Sequence, residues 1–398
     1  MLPRVKIQFL NGQLGTVGES ADGLMALICG ANTSPYMSLR HGVVYSITSM
    51  DDLAGLGVTP ENNSVLFRHV KEFYDEAGSG TRLILYPVEP DTTATNICDY
   101  TKTFEGYARD LITSQNGALR GIGIAGVNSE GSAASTNGLD PDVFTALPKA
   151  QQLAEWATSE LYAPLFILLE GRAYDASAEL EDLTLYTYNR CAVVIGDTVK
   201  DSGGAAIGTL LGRIASIPVQ RNIGRVKDGS LFPLEMFVGS KKIEESGSVI
   251  ASIFDKGYII PRKHVGRSGY YYADDQMACI PTDDYAHLAS RRVIDKAYRI
   301  AYDTMLNELL DELELNEDGT LQLAVVKSWQ QTLCNSINRQ MTAKGELSSD
   351  SEGNGCVCYI NEKQNVVSTS RIEVTLKVRP HGYGRYIDVN LGFQVQTA

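Results

Sequence analysis

The sequence predicts a mixed α/β protein, in which a layered α/β part is followed by a helix-plus-strand part. Two patterns predict this class. Up to about residue 200, apolar runs of strand length alternate with amphipathic segments of helix length, which is the spacing of a sheet covered by helices. After about residue 285, two long helical patterns lead into strands with alternating apolar residues.

The N-terminal segment alternates, with Val5, Ile7 and Phe9 on one side of a predicted strand. A flexible stretch follows it, and its glycines are Gly12, Gly15 and Gly18.

Strands and helices then alternate along the layered part. The clearest helix covers 64–77, where apolar residues share one face and Gly78 ends the pattern. The predicted strands are 24–30, 43–47, 83–87, 121–127, 164–169 and 191–195. The other predicted helices are a short one beginning at Ser49 and those at 100–114, 148–160, 180–190 and 205–216.

The last third of the chain has a different character. A single helix is predicted over 286–315, and its second half is acidic, with seven carboxylates and no Lys or Arg from Asp303 to Asp318. The second long helix carries apolar residues in an i+4 row, at Leu321, Val325, Trp329, Leu333, Ile337 and Met341. Strands are predicted at 357–360, 372–378 and 386–395, and the last alternates at Ile387, Val389, Leu391 and Phe393.

Composition and charge restrict the function classes. The chain has 398 residues with 35 basic and 48 acidic side chains, a formal net charge of −13. Nucleic-acid binding is not expected, because phosphate recognition needs an excess of Lys and Arg. No apolar run approaches the roughly 20 residues of a membrane helix, and no signal peptide is recognised, so neither membrane insertion nor secretion is expected and the predicted compartment is the cytoplasm.

The seven scattered cysteines do not have the spacing of a disulfide framework. Cys356 and Cys358 form a C-x-C pair without a second pair or a histidine cluster nearby. Two cysteines on one side of a half-buried strand are therefore favoured over a metal site.

Motifs of enzymes and cofactor sites are weak in this sequence. Residues 121–126 fit G-x-G-x-x-G, but the glycines lie inside an apolar strand, so small residues in a packed strand are favoured over a dinucleotide site. The acid pairs Asp274-Asp275 and Asp283-Asp284 are explained by helix capping and loop solvation. We therefore predict no catalytic residues, no cofactor and no metal.

The strands predicted at the two chain ends have no obvious local partner. Such a strand is an open edge unless another chain pairs with it, and strand exchange between subunits would satisfy it. This favours an assembly protein.

The order of elements resembles the sheath proteins of contractile phage tails and related contractile injection systems. The matching pieces lie at 46–57, 65–78, 83–87, 205–229, 283–300 with Arg291-Arg292, 329–347, and Arg379-Pro380. In the family, the loop that corresponds to 205–229 ends in proline-alanine, and residues 219–224 stand there in this chain. This departure indicates a divergent branch, such as a prophage-like or bacterial particle.

The resemblance implies a non-enzymatic subunit of a helical sleeve that surrounds an inner tube and contracts to drive it through a target envelope. Its implied partners are further copies of itself, the inner tube protein, the baseplate, and tail terminator or cap proteins. It implies an arm and linker at 1–22, an α/β outer region at 23–265, an inner domain at 266–368 and exchange strands at 369–398.

The resemblance also implies functional surfaces. The exchanged strands would use Val5, Ile7, Phe9, Ile387, Val389, Leu391 and Phe393, with the three linker glycines between arm and core. The second long helix would face the tube through Lys327, Gln330, Gln331, Asn335, Asn338 and Arg339. Two alternatives stay open at this point, a non-contractile tube or capsid component and a nucleotide-binding α/β enzyme.

Overall fold

The computed structural model describes residues 21–102, 107–127, 137–389 and 391. The chain divides after Asp303 into two compact units. Val5, Ile7, Phe9, the three linker glycines and Phe393 lie outside the described residues.

The described part of the first unit alternates strands and helices. Its strands are β1 (Met25–Gly30), β2 (Tyr45–Ile47), β3 (Leu83–Val88), β4 (Gly121–Ala125), β5 (Phe166–Glu170), β6 (Thr187–Tyr188), β7 (Cys191–Val194), β8 (Phe237–Val238), β9 (Lys241–Lys242), β10 (Pro261–Arg262), β11 (Tyr271–Tyr272) and β12 (Ala278–Cys279). Its helices are α1 (Met50–Gly55), α2 (Ser64–Ala77), α3 (Ala94–Cys98), α4 (Ala108–Ser114), α5 (Pro141–Glu160), α6 (Ile207–Ser216), α7 (Gly247–Asp255) and α8 (Leu288–Leu306), whose last turn passes the division between the units.

A six-stranded sheet in the order β2-β3-β1-β4-β5-β7 forms the centre of this unit. All neighbours are parallel except β2, which is antiparallel to β3. In β1, Leu27 lies opposite Leu85 on one side and Gly123 on the other. The inner strands are buried along their whole length, as expected for a parallel sheet covered on both faces, and this explains their unbroken apolar sequences.

Helices α2 and α6 pack closely because glycines remove side chains from their contact. A Cβ on Gly208 would lie 2.1 Å from the His69 carbonyl oxygen, and one on Gly212 would lie 2.6 Å from that of Phe73. A Cβ on Gly123 of β4 would collide with Ile207 and Leu211 of α6. Gly121 and Gly123 of the G-x-G-x-x-G pattern thus serve close packing inside β4, as interpreted from the sequence, whereas Gly126 lies after the strand with φ of 64°.

Four helix predictions were wrong in this part of the chain. The helix predicted at 148–160 begins earlier, as α5 at Pro141, because Asp140 caps it. The helix predicted at 100–114 begins only at Ala108, because Asp99 accepts hydrogen bonds from Thr101 in a turn. The segment 180–190 forms a short 3-10 helix at Leu183–Leu185 and then strand β6, since its Thr and Tyr residues favour strands.

The fourth is the helix predicted over 286–315, which ends at Leu306 as α8. Leu310 has a left-handed backbone, with φ of 64°. Carboxylates at a helix C-terminus oppose the helix dipole, and Glu308, Asp311 and Glu312 stand where the helix would have continued.

The described part of the second unit contains two helices and a hairpin. Its elements are α9 (Leu323–Gln340), β13 (Cys356–Ile360), α10 (Val366–Thr369) and β14 (Val374–Val378). The antiparallel strands pair from Cys356 with Val378 to Ile360 with Val374. A small core holds Leu321, Val326 and Ile360, so Val326 is the buried residue where the i+4 row predicted Val325.

Candidate functional site

Helix α9 presents a polar stripe on the side away from its core. Val326, Leu333 and Ile337 are buried, whereas Lys327, Gln331, Asn335 and Arg339 are exposed at steps of four residues. Gln330 is half-buried beside them. Five of the six residues predicted to face a tube therefore lie on or beside one accessible, weakly basic surface.

Asn338 has a bonding role that the sequence pattern does not indicate. Its side-chain oxygen accepts hydrogen bonds from the Gly355 amide at 2.9 Å and the Thr342 hydroxyl at 3.0 Å, and its amide donates to Asn354 at 3.1 Å. The side chain therefore fixes the loop that enters β13, and it is half-buried. An asparagine near a helix end, 16 residues before a second asparagine, carries no local signal of this contact.

The hairpin of β13 and β14 has two outer edges with no strand paired to them in the described part of the chain. One face packs on α9, while Val357 and Tyr359 on the other face are 62% and 61% exposed. Two strands alone form a marginal sheet with open edges, so this hairpin is suited to accept further strands.

The strand predicted at 386–395 is absent from its described residues, which have no regular secondary structure. Ile387, Val389 and Leu391 are 80%, 78% and 96% exposed. The prediction was wrong for the single chain for a physical reason: a strand needs a paired neighbour for its backbone groups, and alternation alone does not supply one.

Cys356 and Cys358 lie on one side of β13, as predicted for a half-buried strand. The Cys356 sulfur lies 3.8 Å from the Cys334 carbonyl oxygen. Burial, with Cys334 nearby, raises the pKa of Cys356 to about 12, so the group is a neutral thiol at neutral pH.

The carboxyl ends of the parallel strands form a cleft where α/β enzymes often bind ligands. Gly30, Gly126 and Glu170 line it. The Glu170 carboxylate accepts hydrogen bonds from the amides of Gly126 at 2.8 Å and Ala205 at 3.0 Å. Backbone amides of this kind would hold a phosphate in a nucleotide-binding protein, and here an internal carboxylate occupies them.

Asp274, Asp275 and His287 place possible metal-ligating atoms within 4.8 Å of one another. However, the Asp275 carboxylate accepts hydrogen bonds from the Ala289 amide at 2.8 Å and from Asn222 at 2.7 Å, at the start of α8. Burial and the charge of Asp274 raise the pKa of Asp275, although His287 opposes them. The bonds to α8 agree with the capping interpretation, with Asp275 as the residue that caps.

Asp283 holds the loop before α8, since its carboxylate accepts from the Tyr285 amide at 2.7 Å and from Asn189 at 3.0 Å. Arg292 of α8 donates to the carbonyl oxygens of Ile214 and Ile217, both at 3.0 Å, where α6 ends. None of the described helices is both long and apolar enough to span a membrane.

Comparison with solved structures identifies the fold. A chain of the anti-feeding prophage baseplate, determined with six-fold symmetrisation, aligns with a TM-score of 0.63 at 15% identity, covering 99% of each chain. The contracted helical sheath of the same prophage aligns with a TM-score of 0.62 at 15% identity, covering 98% of this chain and 99% of that one. The contracted PVC sheath complex, from an extracellular contractile injection system, gives 0.59 at 14% identity, covering 99% and 98%.

The fold is therefore the sheath fold of contractile injection systems, and the resemblance seen in the sequence is confirmed at the level of fold. The chain belongs to the DUF2586 family, since its N-terminal domain matches residues 2–276 and its C-terminal domain matches residues 284–398. A search of curated proteins finds no match to the sequence.

Proposed function

We propose that this chain is the sheath subunit of a contractile phage tail or injection system. It polymerises around an inner tube, meets a baseplate at one end and a terminator or cap at the other, and contracts to drive the tube through a target envelope. The observation that carries the proposal is the likeness of fold over 98% or more of the chain to subunits of two such particles.

Strand exchange joins the subunits in this proposal. The hairpin of β13 and β14 offers open edges, and the exposed Ile387, Val389 and Leu391 offer an alternating apolar row. The arm strand of one copy, with Val5, Ile7 and Phe9, and the terminal strand, which also includes Phe393, add to the hairpin of a neighbour. Pairing then satisfies backbone groups that the single chain leaves open.

Contact with the tube is assigned to the polar stripe of α9. A contact that must slip during contraction is better made by polar, weakly basic side chains than by a large apolar patch, which would hold the tube in place. The proposed domain division has four parts. These are the arm and linker at 1–22, the outer region at 23–265, the inner domain at 266–368 and the exchange strands at 369–398. Assembly in the cytoplasm belongs to the same proposal.

Work in this proposal comes from conformational free energy stored in the lattice, without turnover of a substrate. The nucleotide-enzyme alternative has little support, because Glu170 holds the amides at the cleft where a phosphate would bind. No observation favours a non-contractile tube or capsid component over a sheath.

Electron microscopy of the purified, concentrated protein tests the proposal. We expect wide tubules with a cogwheel cross-section, and no nucleotide hydrolysis by the repurified sample. Closed shells, narrow tubes of a single thin wall, or a protein that stays monomeric at high concentration would contradict it.

A further inference from the structure

A groove with an apolar floor and a basic rim lies beside helix α7 in the first unit. It encloses about 630 Å³, which is within the range of pockets that hold a ligand or a few side chains. Its floor includes Ile243, Ile250 and Phe254. The loop that follows β10 forms its rim.

The rim concentrates positive charge in an acidic protein. Arg262, Lys263 and Arg267 line the groove within six residues, together with His264, in a chain of formal net charge −13. Lys263 pairs with Glu244 at 2.9 Å, whereas no ion pair engages the two arginines among the described residues. Burial and the charges of Arg262 and Arg267 lower the pKa of His264, as expected for a group in a positive field.

A segment of complementary charge and polarity lies at residues 306–314, beginning at the last residue of α8. Glu308, Asp311 and Glu312 alternate there with leucines. Leu306, Leu309 and Leu310 are 48%, 65% and 96% exposed. Leu309 and Leu310 are adjacent and largely exposed, which is unfavourable in water, and contiguous exposed apolar residues of this kind mark a surface that another element covers.

We propose that the groove beside α7 binds the acidic leucine segment 306–314 of a second copy of this chain. The leucines enter the apolar floor, and the carboxylates face Arg262 and Arg267 on the rim. The groove belongs to the first unit and the segment to the second, and the contact joins two molecules. It rests on the proposed function, because it supplies a lateral contact between sheath subunits besides strand exchange.

Charge reversal tests the contact on the full-length protein. The groove variant is Arg262→Glu with Arg267→Glu, and the segment variant is Glu308→Arg with Asp311→Arg. Lys227→Glu with Lys241→Glu is the matched control, since both lysines are exposed on the same unit and the change in charge equals that of the groove variant. The critical concentration for polymerisation is measured by sedimentation and the product is imaged.

Each variant alone should raise the critical concentration roughly tenfold or more in low salt, because close charge pairs at interfaces are worth over 1 kcal/mol. The chain carrying all four substitutions should recover most of the parent's assembly, and the control should assemble like the parent. The difference should shrink at high salt, since screening weakens charge pairs.

Three results would overturn this contact while leaving the sheath proposal intact. The first is tubules that form equally well from parent, groove variant and control. The second is a four-substitution chain that assembles no better than either variant. The third is a groove variant whose monomer melts lower and whose assembly is unchanged, as docking within one molecule would give. A parent that forms no polymer at all would contradict the sheath proposal and this contact together.

Discussion

Asp295 of α8 is buried between two arginines. Its carboxylate lies 3.3 Å from Arg190 and 2.7 Å from Arg291, and all three side chains are less than 10% exposed. Such a cluster contributes little net stability when complete, but removing one charge leaves the others buried without compensation.

Asp295→Ala should therefore lower the free energy of unfolding by about 3–5 kcal/mol, because two guanidinium groups lose their shared carboxylate. Thermal melting followed by circular dichroism measures the effect. Glu235→Ala, which breaks the exposed pair with Lys242, is the control and should cost less than about 1 kcal/mol. Equal melting temperatures for the two variants would show that the Asp295 cluster is already hydrated.

Lys327 and Arg339 give the stripe on α9 its positive charge. Lys327→Glu with Arg339→Glu should weaken co-assembly with the inner tube, because the change reverses both charges that we propose to face the tube. Folding should survive, since exposed substitutions usually change stability by no more than about 0.5 kcal/mol. Co-sedimentation with the tube protein measures the contact, and Lys227→Glu with Lys241→Glu serves as control. Normal tube-filled sheaths from the α9 variant would assign the tube contact to another element.

The tertiary contacts of single residues could not be predicted from the sequence. Helical spacing places Arg291 beside Asp295, four residues on, but the bonds of Arg292 to the end of α6 and of Arg190 to Asp295 join residues about 75–105 positions apart. Asn338 was assigned to the tube surface because helical spacing placed it there, while its bonds to the loop before β13 come from tertiary structure. Spacing along a helix predicts which side a residue is on and does not predict its partners.

At the scale of elements, deleting the proposed arm strand should prevent assembly without affecting folding. A chain lacking residues 1–10 should remain folded and monomeric but fail to polymerise, because Val5, Ile7 and Phe9 would fill a neighbour's sheet and leave the subunit's own core untouched. Size-exclusion chromatography and thermal melting measure the two properties. Aggregation, or a melting temperature far below that of the parent, would place the strand in the subunit's own core instead.

Element predictions succeeded where the pattern was local. The helix predicted at 64–77 has the bounds of α2, because its apolar face and Gly78 are both encoded in 15 consecutive residues. Predictions failed where a partner decides, as for β6, which pairs with the distant β12, and for the terminal strand, which needs a neighbour. The helix predicted over 286–315 runs past the end of α8 because its apolar spacing continues to Leu309, whereas the carboxylates there oppose the helix dipole.

At the scale of the whole molecule, the sequence predicts the alternation of strands and helices but does not predict the order of the strands in the sheet. Strand β1 lies between β3 and β4, so the chain passes over its first strand before extending the sheet in the other direction. Glycines at Gly208 and Gly212 determine how close α2 and α6 approach, and their partners became clear only from the structure.

Asp22 is the last residue of the proposed arm and linker. Its carboxylate lies 2.5 Å from the Lys296 ammonium group, so an ion pair attaches this residue to α8. Burial tends to raise the pKa of Asp22, but the hydrogen bond and charge of Lys296, with Arg299 and Arg120, outweigh it and lower the pKa. A lowered carboxyl pKa means that this pair contributes stability at neutral pH and loses it as the pH falls below 4 through the folded-state pKa. In the proposed sheath, a pull on the linker would therefore reach α8 through this pair at neutral pH.

Coupling between rings is then expected to depend on the length of the linker. Inserting three residues after Gly12 adds about 10 Å of slack, since an extended residue spans roughly 3.3–3.6 Å. Strand pairing should be unaffected because the insertion lies outside Val5 to Phe9, so sheaths should assemble. The pull on the neighbouring ring would arrive late or not at all, and micrographs after triggering should show extended sheaths with few contracted ones. An insertion of three residues after Gly229, in a loop of the first unit, is the control, and sheaths of this variant should contract like those of the parent. If the linker variant also contracts as readily as the parent, the motion must pass through lateral contacts of the core, such as the groove beside α7.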